Sequence, residues 1–261
     1  MDDNFLAEER GAVLWLTLNR PAAMNALTPA MIGALDRALA HAEKTEHIRC
    51  VVITGVGPAF CAGADLKAVR SELGADERAL CGFLAQASGT MARIENLPKP
   101  VIAAVNGSAF AGGLEIILAC DLVLAADVAL LGDAHVNFGL LPGGGSSVRL
   151  PRKVGVNRAK SMLYTGAPVP VSEFVACGFI HQVVPAVQLR DAAERLAASI
   201  AAKSPLVLRR LKQLVGAGLE QPVVTALQLE LAACDAHVSS HDFKEGLTAF
   251  QERRAPVFLG R

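Results

Sequence analysis

The sequence predicts an α/β fold with crossover connections, and three observations carry that prediction. Short apolar runs rich in β-formers alternate with longer stretches of helical periodicity from residue 13 to about residue 127. Runs such as "IRCVVITGVG" and "PVIAAVNG" are continuously apolar, as strands are when helices cover both faces. Of the 261 residues, 52% are apolar, enough for one continuous core without metal or disulfide staples.

Taken in order, "VLWLTLNRP" (13–21) alternates and stops at Pro21, which reads as a strand. Thr28-Pro29 has the form of an N-cap followed by a first-turn proline, and "AMIGALDRALAHAEK" continues at helical spacing. The apolar run at 48–57 is a buried strand closed by glycine. A small-residue loop, "GPAFCAGADLK" (57–67), follows, then a polar helical stretch from about 76 to 96 and a second buried strand at 100–107. The helix "GLEIILAC" and the strand "DLVLAAD" complete this part. After about residue 190, "RDAAERLAASIAAKSPLVLRRLKQLV" and "VVTALQLELAACD" are helical with no strand between them. They read as a docking or oligomerisation appendage. No internal repeat or low-complexity tract appears.

Composition excludes several classes. Lys plus Arg and Asp plus Glu both number 25, so there is no basic excess for nucleic acid. One Trp and one Tyr leave little for base stacking. No apolar run reaches the ~20 residues that span a bilayer. "MDDNFLAEER" lacks the basic flank and apolar segment of a secretory signal, so Asn106-Gly107-Ser108 carries no meaning as a glycosylation pattern. Six cysteines without a C-x-x-C pair read as reduced core residues. The expectation is a cytoplasmic globular protein. No G-x-S-x-G elbow, P-loop or G-x-G-x-x-G is present, which argues against serine hydrolysis, nucleotide hydrolysis and hydride transfer.

Two glycine loops carry the chemistry. "AFCAGADLK" (59–67) follows a strand, and its small residues let a ligand approach the backbone amides. In "SAFAGGLEIILACD" (108–121), Gly112-Gly113 opens an apolar helix whose first N–H groups are free to bind an anion. Together they offer a two-donor cradle for the oxygen of a polarised carbonyl. Glu115, the only charge before Asp121, would lie within reach of the adjacent carbon. Read blandly, it complements the helix dipole.

These loops, with "NRPAAMNAL" (19–27), "VNGSAFAGGLEIILACDL" (105–122), "FGLLPGGG" (138–145) and the terminal "FQERRAPVFLGR", resemble the crotonase superfamily of enoyl-CoA hydratases and isomerases over nearly the whole chain. The resemblance implies a spiral of β-β-α units over residues 1–195, holding the acyl-CoA site. It also implies a helical region, 196–261, for trimerisation and covering of the site, as a homotrimer or a dimer of trimers. The thioester oxygen would accept hydrogen bonds from Ala64 and Gly112. The adenine end would rest near Ala62, Ala64, Asp65 and Leu66, with Arg20 and Lys67 toward the phosphates. Glu115 matches the first of two acid/base glutamates. Coenzyme A would arrive as part of the substrate, with no separate cofactor and no metal.

Counting back from "LLPGGG" places the second glutamate at His135, a departure from the hydratase pattern. Imidazole titrates near neutrality and can carry the same proton. As a lone histidine in an apolar run it also fits a structural role, and its spacing to His41, His47, His181, His237 and His241 forms no metal site. Asp133 is placed to share its strand face and orient the ring. Histidine here also resembles the β-diketone hydrolases of the superfamily, but their assisting aspartate is absent from Gly143-Gly144-Gly145. The leading expectation is hydration of the 2,3 double bond of an acyl-CoA. Isomerisation through Glu115, hydrolysis through His135 and non-catalytic acyl-CoA binding stand as alternatives.

Overall fold

The computed structural model describes residues 3–73 and 76–261. Residues 1–2 of the acidic N-terminus and 74–75 lie outside it. In chain order the elements are β1 (Phe5–Arg10), β2 (Val13–Leu18), α1 (Pro29–Lys44), β3 (Cys50–Gly55), β4 (Ala59–Cys61), α2 (Leu66–Leu73) and α3 (Glu77–Asn96). Next come β5 (Val101–Val105), β6 (Ser108–Phe110), α4 (Gly112–Ala119), β7 (Leu122–Ala126), β8 (Leu130–Gly132), α5 (Ser146–Val154) and α6 (Val156–Thr165). The chain ends with β9 (Val169–Pro170), β10 (Gln182–Val184), α7 (Leu189–Ala201), α8 (Pro205–Gly218), α9 (Val223–Val238) and α10 (His241–Glu252).

The strands form two sheets, ordered β1-β2-β3-β5-β7-β10 and β4-β6-β8-β9. From β2 onward the large sheet is parallel, and only the β1–β2 hairpin is antiparallel. Three successive turns of chain deliver one strand to the large sheet, the next to the small sheet, and then a helix. The turns start at β3, β5 and β7. This is the spiral of β-β-α units, repeated in space with no trace in the sequence.

Local signals hold where they are strong. Thr28 caps α1, its hydroxyl accepting from Met31 N at 3.2 Å, with Pro29 in the first turn. In β3, Val51 and Ile53 face the inner core, while Cys50 and Val52 face α7 on the outer side, so the run is apolar throughout.

Three readings are corrected. The 57–67 loop contains β4, and β6 precedes the helix at Gly112. Three-residue strands beside glycines are too short to show a period. The segment after 190 is not wholly an appendage. Ala193 and Ala197 of α7 pack against Trp15 and Leu124, their small side chains letting the helix lie close on the sheet. Nor are all the cysteines in the core. All six are free thiols, but Cys81, Cys177 and Cys234 are exposed, because an apolar sequence neighbourhood does not say which way a side chain points. β1 escaped notice because it is a charged edge strand. Among the described residues, no helix is long and apolar enough to cross a membrane.

Candidate active site

The site forms where β4 and β6 end. Leu27 bridges to Ala64 by donating its N–H to Gly63 O and accepting from Asp65 N, both at 2.8 Å. A parallel bridge of this kind turns the peptide groups of Ala64 to the opposite side. Gly112 is the first residue of α4, so its N–H has no intrahelical acceptor. Among the described residues neither amide donates within the chain. They lie side by side: a methyl on Gly112 would sit 3.8 Å from Ala64 N. Gly63, at φ +100°, is the contact point between the two loops, and a Cβ there would meet that of Ala111 at 2.9 Å. Ala111 itself takes φ 48° and ψ −117°, a strained conformation of the sort that marks functional turns.

Glu115 sits one turn into α4, 4% exposed. Its Oε1 accepts from Gly144 N at 2.7 Å and Ser146 N at 3.2 Å. The Gly144 peptide is fixed from its other side, where Arg149 donates to the carbonyl at 2.7 Å while also paired with Glu95. Burial pushes the Glu115 carboxyl above the usual range, against the two amides and the charge of His135. Oε2 has no hydrogen-bond partner among the described residues.

His135 and Asp133 do not share a strand face, because β8 ends at Gly132. Ala134 turns left-handed at φ 59°, and His135 opens the 3₁₀ turn His135–Phe138. That reversal still brings the two side chains together, with Nδ1 3.0 Å from Asp133 Oδ1. Burial disfavours the charged ring, but Asp133 and then Glu115 outweigh it and hold the pKa above its ordinary value.

Ala64, Gly112, Glu115 and His135 all line one cavity of about 430 Å³. Its floor and walls are Ile32 of α1, Val69 of α2 and Phe83, Leu84 and Met91 of α3. Leu80, Phe83, Leu84 and Ala87, in the stretch read from sequence only as polar and helical, thus build much of this apolar wall. Leu66 lines the mouth, Lys67 is exposed on α2, and Ala62 is half-buried with its N–H on Met24 O. Arg20 lies apart from this cavity. Its guanidinium donates to Ala26 O at 2.6 Å and pairs with Asp65 at 3.1 Å, and it lines a separate groove of about 600 Å³ with Arg37. Asp65 caps α2 through the amides of Lys67 and Ala68. The Ala68 hydrogen bond and then Arg20 hold its carboxyl below the usual range. Two residues escaped sequence reading. Asn25, fully buried, ties the 19–27 segment to Val56 and Ala59, and Arg149 fixes Gly144. Only the position of Asn25 within a quoted motif hinted at either.

The chain is similar to known proteins over nearly its whole length. A family model described as enoyl-CoA hydratase/isomerase matches residues 8–261. The chain is 43% identical over 246 residues to YngF of Bacillus subtilis (strain 168), a protein that carries the designation enoyl-CoA hydratase/isomerase provisionally. The match covers 94% of each chain. It is 34% identical over 253 residues to the short-chain-enoyl-CoA hydratase of Clostridium acetobutylicum, covering 97% of this chain and 96% of that one. The crystal structure of an enoyl-CoA hydratase from Bacillus anthracis superposes with a TM-score of 0.94 at 37% identity, covering 99% of this chain and all of the other.

Proposed function

The chain belongs to the enoyl-CoA hydratase/isomerase family, the crotonases, and from that premise we propose that it hydrates the 2,3 double bond of an acyl-CoA bearing an uncharged acyl chain. The observation that carries this reading is the pair of unspent amides, Ala64 N and Gly112 N, side by side at the cavity that Glu115 also lines.

In this reading the thioester carbonyl accepts both amide hydrogens, and conjugation makes C3 electrophilic. Glu115, whose Oε2 is uncommitted, takes a proton from water as its oxygen bonds to C3. The electron pair moves through the enolate, whose oxygen charge the two amides bear. His135 then gives a proton to C2. Water has been added, and a proton returns from Glu115 to His135 to restore the site. The raised pKa values make Glu115 the better proton acceptor and let His135 hold its proton more readily, as this exchange requires. The apolar wall formed by Phe83, Leu84 and Met91 supports an uncharged acyl chain, as does the short-chain substrate named for the Clostridium relative. Coenzyme A phosphates fall to Lys67 and Arg20, the latter at the cost of its pairing with Asp65.

A second reading, hydrolysis, rests on the Asp133–His135 hydrogen bond, which would also suit a base that activates water against the thioester. Incubation with crotonyl-CoA and longer 2-enoyl-CoAs separates these. Loss of the 2-enoyl absorbance with gain of one water in product mass supports hydration. Unchanged mass means isomerisation, free thiol means hydrolysis, and no reaction with acyl-CoA still bound refutes catalysis.

The helical region 196–261 is proposed to assemble the chain into trimers, singly or paired, in the cytoplasm. What supports the assembly is the line of exposed apolar residues on α9: Val224, Leu227 and Leu231, 56% or more of each exposed at 3-4 spacing.

A further inference from the structure

The mechanism above uses His135 but not the carboxylate beside it. Asp133 is 1% exposed, its Oδ1 lies 3.0 Å from His135 Nδ1, and its Oδ2 is buried with no partner. A carboxyl so placed is costly, because a buried oxygen without a hydrogen bond has lost its water and gained no partner in exchange. Among the described residues, the imidazole is the one cation-forming group paired with it, and His135 Nε2 has no hydrogen-bond partner. We propose that Asp133 is a positioning residue that binds the Nδ1 proton of His135, holds the ring as an imidazolium and leaves its Nε2 proton as the one delivered to substrate.

The charge balance around the ring favours this state. The ionisable groups that act on His135 are Asp133 and, from α4, Glu115, both acidic. Of the cations of α5 and α6, Arg149 pairs with Glu95, Arg152 with Glu220 and Arg158 with Glu173, while Lys153 donates to Cys120 O. The ring thus sits between two acidic side chains, one bonded to its Nδ1 and one across the same cavity, and a proton on His135 supplies the positive charge that this arrangement favours. Removing the Asp133 charge therefore has a fixed sign. The ring loses its proton at lower pH, and the alkaline limb of the rate profile moves to lower pH with it.

This inference rests on His135 being the proton carrier, so the test separates the two. Asp133→Asn keeps the side-chain shape and removes the charge. Turnover of a 2-enoyl-CoA at neutral pH should fall roughly 10–100-fold, the scale for lost carboxylate support of an imidazole, with much of the loss regained on acidification. Nitrogen chemical shifts of His135 should show its titration displaced to lower pH, with the proton of the neutral wild-type ring on Nδ1. In a His135→Gln background, Asp133→Asn should cost nothing further, because its effect passes through the ring. An unmoved titration, or an equal loss in both backgrounds, overturns the inference. Full activity in His135→Gln alone overturns the proton-carrier reading instead, and the titration still decides the role of Asp133. If Asp133→Asn does not fold, the wild-type shifts decide: a neutral ring protonated on Nε2 refutes the proposal.

Discussion

Helices α4 and α9 are both strongly apolar, yet they end in opposite environments. Every residue of α4 from Gly113 to Ala119 is buried, whereas α9 buries none, and Leu227 and Leu231 are 56% and 66% exposed. Apolar composition therefore says that a helix wants covering, not what covers it. In α4 the cover is the chain itself, from β4, β6, α3 and α5. That enclosure makes its single charge unusual: Glu115 is held in a dry place by two distant amides. In α9 the apolar line is left for another surface. One helix is apolar to build a site; the other, on the proposal above, is apolar to build an assembly.

The sharpest way to break this contrast is at Glu115. Glu115→Gln should lower turnover at least ~100-fold, the scale for a general acid–base group, without weakening the fold. The sign follows from burial. A carboxyl whose pKa is raised in the folded state costs stability above that raised value, and the cost fades as pH falls through it toward the unfolded value. Glutamine carries no such cost and still offers an oxygen to Gly144 and Ser146. Thermal melts should therefore show the variant equal to or above wild type at pH 8, with its advantage shrinking toward pH 4. A large loss of stability with turnover retained would make Glu115 an ordinary core residue.

A smaller effect is expected one contact away. A Cβ on Gly144 would lie 2.5 Å from Glu115 Oε2 and 2.8 Å from its Cδ. Gly144→Ala therefore pushes the carboxylate out of place while touching no other buried group as closely. Misplacing a reacting group by about 1 Å can cost up to ~100-fold, so turnover should fall roughly 10–100-fold with circular dichroism unchanged. Equal loss of KM and fold would show that Gly144 serves packing rather than aim.

The same contrast explains what was legible. Elements set by neighbours in sequence could be read: the cap at Thr28, the doubly covered strand at Val51–Ile53, and the helix opening at Gly112. Elements set by distant partners could not. Nothing near Glu115 announces Gly144, 29 residues on, and nothing near Arg149 announces Glu95. Strands β4, β6 and β8 are too short for a period and exist because each turn of the spiral lays the next beside the last. From its own neighbours Asp65 reads only as part of a small-residue loop, and its pairing with Arg20 depends on a segment 45 residues away. His135 could be located through resemblance, whereas its bond to Asp133 depends on the left-handed turn at Ala134, which an alanine does not advertise.

The gentlest perturbation addresses α9. Leu227 and Leu231 lie one turn apart on its exposed face and make no part of either core cluster. Replacing both by aspartate removes nothing the single chain uses, so its own stability should change by no more than about 0.5 kcal/mol per site. At an interface between copies the same pair would bury two unpaired charges per chain, a cost of several kcal/mol each. Light scattering should then show wild type at three or six times the 27.3 kDa chain mass and the variant at the single-chain mass. Because the apolar line ends far in sequence from α4 and its cavity, turnover per chain in the variant measures how far the site depends on assembly. A wild-type protein already at single-chain mass would remove the explanation for a bare apolar helix, and the difference between α4 and α9 would need another cause.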